Sequence, residues 1–221
     1  MTRRLAVSFP AALIIEVIDS HRQEDIIETP IQQPLQVREQ VEEVSVDMWG
    51  GFPKVVQAVF PNAVIVIDRF HVMKAVNEEL NKIRKQVGIF DRRSKFLLWK
   101  NGLDLTQEET QKLEAILHRS KRLRQAYYWK EKFRTIYEKP LMVEEGKALL
   151  QQWLYEARAV YTEVVTTIRT HLDGISNYFR HRTTNGAIEG INNRIKLIKR
   201  QAYGFVNFHN FRERLLACFS D

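Results

Sequence analysis

The feature that most constrains the fold of this chain is a set of short apolar runs rich in β-branched residues. Each run is followed by a polar residue. Residues 13–18 are almost continuously apolar, residues 41–46 include alternating apolar and acidic positions before Asp47, and residues 63–67 are closed by Asp68. Runs of this length and composition are typical of strands. The sequence therefore predicts strands in the first third of the chain, two of them ending at an aspartate.

A short helical pattern separates the second and third of these runs. Residues 52–60 cover about two turns after Gly50-Gly51, and Pro61-Asn62 is a stop signal. Strand, helix and strand in this order predict a parallel pair joined by a right-handed crossover. Strands this apolar are expected to be covered by helices, so the predicted fold class is α/β.

From His71 onward the apolar residues keep helical spacing, and residues 150–168 form one long amphipathic stripe. We therefore predict an α/β part over residues 1–74, a helical insertion over residues 75–180 and C-terminal helices over residues 181–221. The insertion interleaves aromatic and basic residues, which is compatible with stacking on nucleic acid but more simply explained by helix packing. These aromatics are Trp99, Tyr127, Tyr128, Trp129, Phe133, Tyr137, Trp153 and Tyr155.

The formal net charge of +7 is unevenly distributed along the 221 residues. Residues 80–137 carry 15 basic and 6 acidic side chains and residues 180–221 carry 8 and 3, whereas residues 1–79 carry 7 and 12. Two basic blocks favour a polyanionic partner, most simply nucleic acid. The alternative is that the basic helices only keep the protein in solution.

A helix is also predicted after Thr184 or Asn185, either of which can cap it. Its apolar positions are Ile188, Ile191, Ile195 and Ile198, and Glu189 falls on the opposite face. The basic residues of the same segment, which are candidates for contact with DNA phosphates, are Arg194, Lys196, Lys199 and Arg200. An ordinary acid in the first turn of a solvated helix is the simpler alternative.

Asp47, Asp68 and Glu189 are the candidate acids of a site. Two stand at the carboxyl ends of predicted parallel strands, where open α/β sheets bind ligands. Carboxylates in such positions suit two divalent ions about 4 Å apart, as phosphoryl transfer requires. Strand-end aspartates are also common helix caps and turn formers, so the pattern alone leaves both interpretations open.

Four segments in order resemble the bacterial insertion-sequence transposases of the ISL-three group, which belong to the DDE superfamily. They are residues 44–52, 60–72, 184–192 and 200–208, and the resemblance extends over about residues 13–216. It implies a ribonuclease-H-like core with a large all-helical insertion, here a partial core. By this resemblance Asp47 matches the second catalytic acid and Glu189 the third, both as ligands of two Mg²⁺ or Mn²⁺ ions.

The resemblance also implies accessory roles and partners. Asp68 and His71 match an Asp-x-x-His motif in which the histidine orients a phosphate or a ligand, although a structural histidine is an equal alternative. The implied partner is DNA, both transposon ends and target, with a possible homo-oligomer on DNA.

The family's first catalytic aspartate, in a Gly-Ile-Asp-Glu-like motif, has no match in these residues, nor do its zinc-binding and helix-turn-helix segments. We therefore expect an N-terminally truncated transposase without strand-transfer activity, and Asp19 is a poor substitute ligand. A non-catalytic DNA-binding remnant is the alternative, and the motif order disfavours an unrelated nuclease. Without a run of about 18 apolar residues, the expected location is the cytoplasm, with nucleoid association when DNA is bound. The lone Cys218 is expected to be a buried apolar residue.

Overall fold

The computed structural model of the protein describes residues 16–20, 22–182, 186–202 and 206–219. The strands are β1 (Glu43–Val46) and β2 (Val64–Ile67). The helices are α1 (Gln23–Ile31), α2 (Leu35–Arg38), α3 (Phe52–Val59), α4 (Arg69–Gln86), α5 (Arg92–Trp99), α6 (Gln107–His118), α7 (Lys121–Glu138), α8 (Val143–Ala157), α9 (Glu163–Thr170), α10 (Leu172–Ser176), α11 (Tyr178–His181), α12 (Gly186–Gln201) and α13 (Phe208–Cys218). Gly102–Asp104 forms a short 3-10 helix. The described chain is thus mostly helical with a small parallel sheet.

The chain divides into two compact units. Unit 1 consists of residues 1–68 and 183–221, and unit 2 consists of residues 69–182. The domain boundaries predicted at residues 74/75 and 180/181 stay predictions.

The sheet of unit 1 confirms the predicted strand, helix and parallel strand. β1 and β2 pair in parallel with Val46 opposite Ile67. The connecting helix α3 begins beside Pro53, which suits a first turn because proline lacks the N–H that would be unpaired there. α3 buries one apolar face and packs against α1. The Arg38 guanidinium donates to the Val59 carbonyl at 2.8 Å, which satisfies a carbonyl at the end of α3.

The strand predicted over residues 13–18 is not observed in its described part. Residues 16–20 have no regular secondary structure, and residues 13–15 lie outside the described residues. Val17 is buried in an apolar cluster with Ile191, Ile195 and Ile198 of α12 and with Phe211 of α13. Glu16 accepts from the Arg212 guanidinium at 2.7 and 2.6 Å. Side-chain contacts with helices, rather than a strand ladder, therefore anchor this segment.

Unit 2 has an aromatic core that joins α7 to α8 and α11. Phe133 lies 4.6 Å from Trp153, and Tyr137 lies 5.9 Å from Phe179, between ring centroids. Two buried polar groups of this core have partners, since Trp153 donates to the Trp129 carbonyl and Tyr161 to the Ala126 carbonyl, both at 2.8 Å. Burial raises the pKa of the Tyr161 hydroxyl.

The long stripe predicted over residues 150–168 is broken into α8 and α9. Buried Glu79 of α4 accepts hydrogen bonds from the backbone N–H groups of Thr162 at 2.7 Å, Glu163 at 3.2 Å and Val164 at 2.6 Å. These donors belong to the start of α9, where N–H groups lack helical partners. Because a carboxylate from another helix satisfies them, a new helix starts here.

Two cations are also buried in unit 2. The Arg84 guanidinium donates to the carbonyls of Ile89 at 2.6 Å and Asp91 at 2.9 Å, which fixes the turn after α4. Lys130 donates to the Lys100 carbonyl at 2.8 Å and to the Glu131 carboxylate. Burial lowers the pKa of the Lys130 ammonium to about 8. Both cations thus hold loops in place.

Candidate functional site

Asp47 and Asp68 lie side by side at the edge of the unit 1 sheet that is formed by the carboxyl ends of β1 and β2. Each follows directly on its strand, and the strand register places the two residues level with each other. The Asp68 N–H donates to the Val46 carbonyl at 2.9 Å, so the pairing continues past the end of β2. Neighbouring strands lie about 5 Å apart. The structure thus brings together the two strand-end acids that the sequence singled out.

The turn after Asp47 is built by the residues that follow it. The Asp47 carboxylate accepts from the Trp49 N–H at 2.9 Å, a short-range bond that fixes the direction of the carboxylate. The indole of Trp49 meets Phe52 edge to face at 4.9 Å. A Cβ added at Gly51 would lie 2.3 Å from this indole, so a larger residue here would displace the ring. Asp47 is half-buried, which leaves part of its carboxylate accessible.

Asp68 and His71 differ in their surroundings. Asp68 is only 2% exposed, which is rare for an acid and requires polar contacts around it. His71 lies on α4 in unit 2, is half-buried and meets Phe70 edge to face at 5.6 Å. Their roles as an accessory pair stay predictions.

Helix α12 carries the position of Glu189, as predicted. Ile191, Ile195 and Ile198 are buried against α13, and the helical period places position 189 on the opposite stripe, with Lys196 and Arg200. The side chain of Glu189 lies outside the described residues, as does the predicted cap at Thr184 or Asn185. The expected closeness of Asp47 and Glu189 therefore stays a prediction.

The four basic residues predicted to contact DNA fall into two pairs. The Arg194 guanidinium lies 4.7 Å from the ring centroid of Phe219, and the Lys199 ammonium lies 4.9 Å from that of Phe211. These two cations pack on aromatic rings in α13 or directly after it. Lys196 and Arg200 are exposed on the stripe of position 189. The sequence pattern did not separate the pairs because their aromatic partners lie on another helix.

The donors of the strand edge suit a hard divalent cation, since carboxylate oxygens are the ligands of Mg²⁺ and Mn²⁺. Ser45 of β1 lies two residues before Asp47, and its hydroxyl is buried without a hydrogen-bond partner among the described residues. Within the described part of the chain no three acidic, histidine or cysteine side chains form a metal-binding group. Asp47 and Asp68 therefore supply at most part of a ligand set.

Six of the eight aromatic residues that the sequence singled out in the insertion are buried or half-buried, which favours the simpler interpretation. Phe133, Tyr137 and Trp153 are buried, whereas Tyr128 and Tyr155 are 50% and 64% exposed. Of the eight that the sequence singled out, only the latter two have much surface for stacking.

Among the described helices, none combines the length and the apolar character that a membrane span requires.

A parallel strand pair with an aspartate directly after each strand, together with a helical unit, defines an α/β protein. The profile of the DDE transposase family of the ISL3 group, described as a transposase, matches residues 5–215. The chain therefore belongs to this family.

Individual relatives are similar in sequence to this chain over shorter stretches. The chain is 26% identical over 205 residues to the transposase for insertion sequence element IS1001 of Bordetella parapertussis, covering 85% of this chain and 50% of the relative. It is 34% identical over 116 residues to the transposase for insertion sequence element IS1557 of Mycobacterium tuberculosis, covering 51% and 26%. A protein of Lactococcus lactis named as an ATP-dependent protease is 39% identical over 56 residues, covering 25% and 18%. The chain thus spans half or less of the length of these relatives.

No solved structure matches the chain. The ribonuclease-H-like core therefore stays a prediction from the resemblance.

Proposed function

We propose that this chain carries part of the catalytic apparatus of a transposase that cleaves and joins DNA strands by two-metal phosphoryl transfer. Asp47 and Glu189 are its metal ligands, and DNA is its partner. The observation that carries the proposal is the pair Asp47 and Asp68, level at the edge of a parallel sheet, in a chain of the DDE transposase family.

The chain's own residues have distinct tasks in this proposal. Asp47 offers a carboxylate whose direction is fixed by the Trp49 N–H, and Glu189 returns a second carboxylate from α12. Mg²⁺ or Mn²⁺, when bound, activates the attacking oxygen and stabilises the leaving 3′ oxygen. Lys196 and Arg200, on the stripe of position 189, hold the phosphate backbone next to these acids.

Metal-directed cleavage of the polypeptide tests the site independently of activity. Fe²⁺ takes the place of Mg²⁺ at carboxylate sites, and with ascorbate and peroxide it generates hydroxyl radicals that cut nearby backbone. We expect cuts near residues 47–49 and 187–191 in the same preparation. Mg²⁺ in excess should suppress both sets of cuts, because it competes for the same ligands.

Two substitutions serve as the test variant and the control variant of this cleavage experiment. Asp47→Asn should remove both sets of cuts, whereas Asp19→Asn, at an exposed acid of unit 1, should change neither. Cuts at only one of the two segments would show that Asp47 and Glu189 do not share a metal site. Cuts that persist in Asp47→Asn would remove Asp47 from the ligand set.

The basic residues of α12 offer a second test. Replacing Lys196 and Arg200 with Gln should reduce the affinity for duplex DNA and lower the salt dependence by up to about two phosphate contacts. The matched pair Arg194→Gln and Lys199→Gln removes the same charge from side chains that pack on Phe219 and Phe211. We expect this pair to reduce thermal stability more than DNA affinity. The reverse result would assign the DNA contact to the ring-packed cations.

The alternative is a DNA-binding protein without chemistry, which the lack of a match to the first catalytic acid favours. It predicts DNA binding by α12 but no metal-directed cuts. In a strand-transfer assay with Mg²⁺ or Mn²⁺ this alternative predicts no product. Metal-dependent product that Asp47→Ala abolishes would rule the alternative out.

A further inference from the structure

The junction between α6 and α7 in unit 2 carries the densest positive charge of the described chain. Residues 115–130 contain no acidic side chain. The exposed cations of this stretch are Arg119, Lys121, Arg122 and Arg124. Together with Tyr128 and Lys132 farther along α7, they form what we call the α7 surface.

The local structure holds these cations in place. Ser120 caps α7, with its hydroxyl accepting from the Leu123 N–H at 3.2 Å, so the turn between the helices is tight. The Arg124 guanidinium lies 3.0 Å from Nδ1 of His118 in the last turn of α6. The cations thus project from two packed helices rather than from a mobile tail.

The charge of the α7 surface is not neutralised within the unit. Four other lysines of unit 2 pair with acids, namely Lys74 with Glu78, Lys82 with Glu163, Lys112 with Glu108 and Lys147 with Asp173. By contrast, Arg119, Lys121 and Arg122 form no ion pair with any carboxylate of the described residues. Glu131, the next acid along α7, is already bound to Lys130 and to the Gly102 N–H.

The cations in the first turn of α7 also weaken this helix. The first turn of α7 has no acid, although cations near a helix N-terminus are repelled by the positive end of its dipole. Stability of the fold therefore does not explain them. An external polyanion would compensate both this repulsion and the repulsion among the four cations.

The length of the α7 surface fits a nucleic acid strand. Lys121, Tyr128 and Lys132 are spaced i, i+7 and i+11 on the exposed stripe, which extends about 16 Å along the helix. Phosphates of one strand repeat every 3.4 Å or so along the duplex axis, so several come within reach. Three of the four junction cations are arginines, whose planar guanidinium pairs with phosphate through two hydrogen bonds. Half-exposed Tyr128 adds a hydroxyl donor.

We propose that the α7 surface is a second DNA-binding surface, on the helical unit, that grips the phosphate backbone without reading sequence. This inference rests on the proposed function, which makes DNA the partner. It goes beyond that function because the surface lies in unit 2 and contains none of the acids or α12 cations assigned above.

Equilibrium binding to a 30-base-pair duplex of arbitrary sequence tests the surface. The full chain is titrated in EDTA, by fluorescence anisotropy, over a range of KCl concentrations. Changing Arg119, Lys121, Arg122 and Arg124 to Gln should weaken the salt dependence. The magnitude of the slope of log affinity against log salt should fall by about 2–4. The control changes Lys74, Lys82, Lys112 and Lys147 to Gln, which removes the same charge from ion-paired positions. We expect its slope to stay within about one unit of the unchanged protein.

A second variant separates binding from folding. Lys121→Glu with Arg122→Glu places acids in the first turn of α7, which should raise thermal stability while DNA affinity falls at least tenfold. A purely structural role would move both quantities in the same direction. Equal losses of affinity in the surface and control variants would overturn the proposal, and so would polyglutamate competing as well as DNA of equal charge.

The two proposals can fail separately. Because the binding assay contains no metal, loss of the metal-directed cuts leaves its result untouched. Conversely, surface variants that bind DNA normally would refute the α7 surface, while cuts at residues 47–49 and 187–191 would still support the site.

Discussion

The two units use buried charge in different ways. In unit 2, Glu79, Arg84 and Lys130 are buried, and each is bound to backbone groups that a helix end or a loop would otherwise leave unpaired. In the described part of unit 1 the buried ionisable group is Asp68, at the edge of the sheet beside Asp47. Burial of a charge therefore does not mark a functional site by itself. Position at the carboxyl end of a parallel strand distinguishes the acids of unit 1.

The largest effect on stability should come from Glu79. Glu79→Ala leaves the N–H groups at the start of α9 unpaired and should cost about 2–4 kcal/mol of unfolding free energy. Glu79→Gln keeps an acceptor and should cost less. Thermal unfolding measured by circular dichroism ranks the two variants by stability.

The neighbouring residue provides the control for this prediction. Glu78 is exposed and pairs with Lys74 at 3.9 Å, so Glu78→Ala should change stability by less than about 0.5 kcal/mol. Similar losses at both positions would contradict the assigned role of Glu79 and remove the contrast between the units.

Two helical glycines sharpen the comparison of packing. A Cβ at Gly146 of α8 would lie 2.2 Å from the ring of buried Phe179, so Gly146→Ala should destabilise unit 2 by about 1–3 kcal/mol. A Cβ at Gly190 of α12 would meet nothing within 4 Å. Gly190→Ala should therefore stabilise the helix by up to about 1 kcal/mol. Denaturant unfolding of both variants measures the two signs, and a loss at Gly190 would reveal a contact on that side of α12.

The smallest effect concerns the half-buried ion pair of unit 1, between Glu16 and Arg212. Hydrogen bonding to Arg212 lowers the pKa of the Glu16 carboxyl. A lowered folded-state pKa means that this contribution is present above the unfolded pKa of about 4.5 and disappears as pH falls through the folded value. Glu16→Gln should thus reduce stability by up to about 1 kcal/mol at pH 7, and this loss should shrink as the pH falls below about 4.5.

A melting curve at each pH checks the Glu16 prediction. Glu28→Gln, at an exposed position of α1, is the control and should have no pH-dependent effect of this kind. A Glu16→Gln effect that does not shrink on acidification would mean that packing, rather than charge, anchors the segment before α1.

The sequence predicted the parts of the fold that depend on neighbouring residues. The strand, helix and strand over residues 41–67 were found within a few positions, because hydrophobic period, Gly-Gly and Pro-Asn signals act locally. The strand predicted over residues 13–18 was wrong in its described part, and the helical stripe predicted over residues 150–168 is interrupted between α8 and α9, although its apolar positions are buried. In both cases the deciding partner, Arg212 or Glu79, lies far away in the sequence.

The sequence by itself determined the apolar face of α12, the charge of the junction between α6 and α7, and the placing of Asp47 and Asp68 at the ends of strands. Period, composition and chain order are sufficient for these, since each is a property of a local segment. Only the tertiary structure decided that the two aspartates stand level, that Lys199 packs on Phe211, and that a carboxylate from α4 starts α9. The physical reason is that strand register, cation–aromatic packing and capping by a distant side chain all require two segments to meet, and no local pattern records which ones do.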